Sequence, residues 1–81
     1  MKLGLYRHYK GNLYQVMGVA RHSESPHDPF VIYQALYGDY GLWVRPYEMF
    51  HEPITYNGKE IPRFALVREN LALPPTIDQS R

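Results

Sequence analysis

The chain has 81 residues, a formal net charge of +1, no cysteine, eight tyrosines, three phenylalanines and one tryptophan. That length holds a single core, and without cysteine there is no disulfide, no thiolate-held zinc and no cysteine nucleophile. The near-zero charge excludes a strongly electrostatic mode of nucleic-acid binding while leaving room for a local basic patch.

Glycine and proline cut the sequence into pieces too short for stable isolated helices. Leu5 to Tyr9 reads as a first strand, Lys10 to Asn12 as a turn, and Leu13 to His22 as a second strand. In that second strand Tyr14, Val16, Gly18 and Ala20 share one face, and mid-strand Gly18 predicts a bulge or sharp bend. Ser23 to Pro29 is a polar loop with two prolines. Phe30 to Tyr37 is the most strand-like stretch, rich in β-branched and aromatic residues. Leu42 to Arg45 follows, Pro46 ends it, and "PYEMF" makes one short 3-10 turn. Pro53 to Val67 is a hairpin across Asn57-Gly58, the strongest short hairpin signal in the chain.

These pieces predict an all-β fold, a small SH3-like barrel of five to six short strands, which hides its strand edges economically. The barrel domain spans residues 1–67, and residues 68–81 form a flexible C-terminal tail. A chain this short buries only about 60–65% of the surface it exposes when unfolded. Its core therefore depends on aromatic rings, each able to bury roughly 150–250 Å².

A two- or four-residue loop at Gly38 to Gly41 sets the register of the central hairpin. Tyr37 then faces Leu42, Leu36 faces Trp43, Ala35 faces Val44 and Gln34 faces Arg45. Val31, Tyr33, Ala35, Tyr37, Leu42 and Val44 would line the interior. Phe30, Ile32, Gln34, Leu36, Trp43 and Arg45 would form a half-exposed outer face.

"YRHYKGNLYQVMGVARHSES", "VIYQALYGDYGLWVRPYEMF" and "GKEIPRF" resemble the bacterial domain of unknown function 1653 family, from about Leu5 to Phe64. The family's recurring positions include Tyr9, His22, Glu24, Tyr37, Asp39, Tyr40, Trp43 and Arg45. The resemblance implies an SH3-like barrel and a small bacterial, cytosolic protein. It implies no particular activity.

The candidate ligand-binding residues are Tyr9, His22, Tyr37, Asp39, Tyr40, Trp43 and Arg45. Exposed rings can stack on a base or hold an extended peptide, and arginine can pair a phosphate or carboxylate. The competing explanation is packing, with Arg45 laid over Trp43 as a cation–π lid and Asp39 closing its own turn. His22 and Glu24 form H-x-E without the downstream cysteines of a zinc deaminase. His22, His27 and Asp28 fit no strong metal spacing, so no metal and no cofactor are expected. The favoured reading is a binding module for a nucleic acid, nucleotide or protein segment. The alternatives are a small enzyme using His22, Glu24 and Asp39, or a homo-oligomerising scaffold element. The expected protein is cytoplasmic and makes no membrane contact, since no stretch approaches the ~20 apolar residues of a span and "MKLGLYRHYKG" is not a signal peptide. It would be a monomer or weak dimer.

Overall fold

A computed structural model describes residues 1–70. Seven strands and one helical turn follow in chain order. They are β1 (Gly4–His8), β2 (Leu13–His22), β3 (Ser25–Ala35), β4 (Leu42–Pro46), α1 (Tyr47–Phe50), β5 (Pro53–Tyr56), β6 (Lys59–Pro62) and β7 (Phe64–Glu69). β4, β3, β2, β1 and β7 form one sheet in that order, and β5 and β6 form a second, two-stranded one. The fold is all-β as expected, but the sheet is open, with β4 and β7 as its two edges.

Local signals account for the turns. Gly11 takes φ 108° between β1 and β2, where its N–H donates to the His8 carbonyl at 2.7 Å. Asn57 and Gly58 both have positive φ, 52° and 76°, the left-handed pair that a two-residue hairpin turn demands. The bulge expected at Gly18 is present, because the β2–β3 register slips between Val16 and Gly18.

Three expectations change. The polar loop from Ser23 is mostly strand, with Ser25 already opposite His22. β4 meets β3 only from Phe30 onward, so Pro26 and Pro29 lie where one side of β3 has no neighbour to receive an N–H. The last hairpin ends at Pro62, and Phe64 begins β7, which pairs with β1. That pairing carries Arg68 and Glu69 into the sheet, so the part of the expected tail that they open is strand. The tail expectation for residues 71–81 lies outside the described residues.

The central hairpin has a different register. Leu42 faces Gln34, Trp43 faces Tyr33, Val44 faces Ile32 and Arg45 faces Val31. Ala35 N–H donates to the Gly41 carbonyl at 3.0 Å, which leaves a five-residue loop, Leu36 to Tyr40. An odd loop shifts the expected pairing by an odd step, and an odd step exchanges the faces of one strand. Val31, Tyr33 and Ala35 are buried as expected. Leu42 and Val44, expected inside, are 64% and 62% exposed. Trp43 and Arg45 turn to the inner side of the sheet instead.

The core gathers on that inner side. Tyr6, Val16, Val31, Tyr33, Phe50 and Phe64 form one buried cluster, with Tyr14 and Tyr47 packed against it. Pro46 at φ −52° leads into α1, a single α-helical turn whose buried residue is Phe50. The Phe50 ring stacks on Phe64 at 4.2 Å between centroids and meets Tyr33 and Tyr6 edge-on at 5.5 and 5.7 Å. No helix among the described residues is long and apolar enough to cross a membrane.

Candidate functional site: an aromatic cleft with one arginine

The inner face ends in a cleft at the β3–β4 end of the sheet. Trp43 and Arg45 are two residues apart on β4 and so project to the same side. Opposite Trp43 stands Tyr33 of β3, and Tyr14 of β2 lies beside them, opposite Ala35. Tyr37 leaves β3, and its hydroxyl meets that of Tyr14 at 2.8 Å. Tyr14, Tyr33, Tyr37, Trp43 and Arg45 together line a cavity of about 190 Å³.

Edge-to-face contacts fix the ring positions. Tyr14 meets Tyr33, Tyr37 and Phe64 at centroid distances of 5.5, 5.6 and 5.6 Å. The Arg45 guanidinium lies over Phe64, 5.9 Å from its centroid. Phe64 thus takes the cation–π role that the sequence assigned to Trp43. Arg45 Nε donates to the Tyr33 hydroxyl at 3.3 Å. Among the described residues its terminal nitrogens make no hydrogen bond and no ion pair. They are the free arm of a planar donor.

Two titrating side chains beside the cleft are shifted from their ordinary values. Burial, then the hydrogen bond shared with Tyr37, pushes the Tyr14 hydroxyl up to about 12. His8 sits with its ring 6.3 Å from Tyr14 and 4.9 Å from Phe64. Burial first, then the charges of Arg63, Lys10 and Arg45, lowers its pKa from 6.5. Arg63 is paired with Glu52 at 3.5 Å, and its Nε is buried without a hydrogen-bond partner among the described residues.

Of the residues singled out in the sequence, Tyr37, Trp43 and Arg45 share the cleft. Asp39 and Tyr40 stand in the β3–β4 loop. Asp39 Oδ1 accepts the Gly41 N–H at 3.1 Å and so closes its own turn. A methyl group built on Gly41 would lie 3.2 Å from that oxygen and 3.6 Å from the Trp43 indole nitrogen, so the carboxylate lies close to the mouth of the cleft. Tyr9 lies elsewhere, in the β1–β2 turn, with its N–H on the Arg63 carbonyl at 2.9 Å and its ring 6.1 Å from Tyr56.

His22 is at the opposite end of β3 from Asp39, a separation of about 30 Å for ten strand rises. Its Nδ1 accepts the Glu24 N–H across the tight β2–β3 turn at 3.1 Å. An acid–base set of His22, Glu24 and Asp39 is therefore not assembled, since general catalysis needs hydrogen-bond reach. Among the described residues no three histidines or carboxylates stand close enough to hold a metal.

Tyr14 and Tyr33 were missed as members of the site. Their signal was present in the face alternation of β2 and β3, but the shifted register concealed that Trp43 lies across from Tyr33.

Residues 4–66 match the model of a family described as a protein of unknown function, DUF1653. The chain belongs to the DUF1653 family. The crystal structure of a DUF1653 protein from Bordetella bronchiseptica is similar, with 33% sequence identity and a TM-score of 0.76. The likeness covers 91% of this chain and 94% of that one. No curated protein matches the chain. DUF1653 membership accounts for the fold and leaves activity to be argued from the cleft itself.

Proposed function

We propose that this DUF1653 protein is a small cytoplasmic binding module that holds an anionic group of a larger ligand in the cleft between Trp43 and Arg45. The observation that carries the reading is an arginine whose terminal nitrogens have no partner among the described residues, set among four aromatic side chains. A guanidinium fork suits a phosphate or carboxylate, and aromatic walls suit the flat or apolar part of the same ligand. Among the described residues no carboxylate lines the cavity. Phosphate-bearing and carboxylate-bearing ligands both fit this description.

Inorganic phosphate, titrated into isotopically labelled protein, should shift the Trp43 indole N–H and Arg45 Nε–H resonances. Arg45→Gln should weaken that response at least about tenfold, as loss of a hydrogen bond to a charged group does. Asp39→Asn keeps the turn acceptor, removes the charge in the β3–β4 loop and should tighten binding. Shifts confined to other parts of the protein, or binding by Arg45→Gln equal to that of the native chain, would defeat the reading.

A further inference from the structure

We propose that the cleft is one unit of a site for single-stranded nucleic acid, in which Trp43 stacks on a base, Arg45 takes a phosphate, and the neighbouring rings receive the next base. The proposal rests on the reading that the cleft holds an anion, and names the ligand class.

The cavity of about 190 Å³ falls below the roughly 300–1,000 Å³ of sites that enclose a whole small molecule. A ligand must therefore lie across the cleft and extend beyond it. Two rings that line it are open to such a ligand, Tyr37 and Trp43, 43% and 57% exposed, and Tyr40, 55% exposed, belongs to the adjoining β3–β4 loop. Several exposed rings in one place suit successive unstacked bases, because every base offers a π-face. A paired duplex presents no such faces.

Trp43 and Arg45 are separated by two strand rises, about 6.6 Å, the scale that divides a base from its own phosphate. The positive charges continue past the cleft. Lys10 lies at the β1–β2 turn, its Nζ 5.8 Å from the Tyr9 ring, and the Arg63 carbonyl accepts the Tyr9 N–H at 2.9 Å. Glu52 offsets part of the Arg63 charge. With a net charge of only +1, the chain can neutralise few phosphates, so stacking must supply much of the affinity. The free edge of β4 also suits an extended peptide, so a peptide stands among the probes as the competing occupant.

Trp43 is the single tryptophan, so its intrinsic fluorescence reports contact directly. The probes are a uridine octamer, a thymidine octamer, uridine monophosphate and a short peptide with a free C-terminal carboxylate. The octamers should quench Trp43, with log affinity falling against log salt at a slope of about −0.7 to −1.4, one or two phosphates at ≈ −0.7 each. Preference for either octamer sustains the proposal and tells RNA from DNA.

Anisotropy of labelled octamer should show Trp43→Phe still binding and Trp43→Ala weakened about 5- to 150-fold, the range for loss of one stacked base. Arg45→Gln should flatten the salt slope. Uridine monophosphate binding as well as the octamers would overturn the strand and leave the anion cleft standing. Response to the peptide alone would overturn nucleic acid and leave the cleft. Silence from every probe would overturn both.

Discussion

The His8 ring lies 4.6 Å from Tyr9 and 4.9 Å from Phe64, with its Nδ1 accepting the Lys10 N–H at 3.1 Å. Burial and three neighbouring cations favour its neutral form. The folded chain therefore takes up this proton less readily than the unfolded chain does. The contribution to stability is present above 6.5, the unfolded value, and is lost as pH falls through the lower folded value. His8→Gln should remove that acid-side slope, so thermal melts of the variant vary less with pH below neutrality than those of the native chain. Identical slopes would mean that His8 is not the group responsible. Tyr14 works in the opposite sense at the other end of the scale. Its raised pKa favours folding fully below 10, and the benefit fades as pH rises toward about 12.

Two glycines separate local from long-range control of the strands. Gly18 sits at the β2 bulge with open space where a Cβ would stand. Gly18→Ala should raise stability by about 0.4–1 kcal/mol, by limiting the unfolded chain. Gly4 has φ +147°, and a methyl group there would collide with the Arg68 carbonyl and lie 2.8 Å from the Asn70 nitrogen. Gly4→Ala should cost more than about 1 kcal/mol and speed amide exchange along β7. Equal melting temperatures for the two variants would argue against the β1–β7 pairing.

The same division explains what the sequence made legible. The bounds of β2, the Asn57-Gly58 hairpin and the bulge rest on signals within a few residues. The β1–β7 pairing joins distant segments and has no local sign. The β3–β4 register depended on the number of residues in one loop, and an odd count put Leu42 and Val44 on the outside and Trp43 opposite Tyr33. The cleft was consequently half visible. Tyr37, Trp43 and Arg45 stood out by residue type, but Tyr14 and Tyr33 could join them only once the register was known.

Across the whole molecule, aromatic side chains divide between holding the open sheet together and lining its cleft. At roughly 0.05–0.15 kcal/mol per residue, a chain of this length has about 4–12 kcal/mol of total stability. Phe50, 1% exposed, reaches the sheet from a single helical turn and touches Tyr6, Tyr33 and Phe64. Phe50→Ala should cost about 3–5 kcal/mol, a large share of that total. Trp43 is 57% exposed and lies outside the core cluster, so Trp43→Ala should change stability by about 0.5 kcal/mol or less. Denaturant unfolding of both variants distinguishes a cleft from a core. If Trp43→Ala unfolded as readily as Phe50→Ala, the indole would be packing, and its exposure at the cleft would need no ligand to explain it.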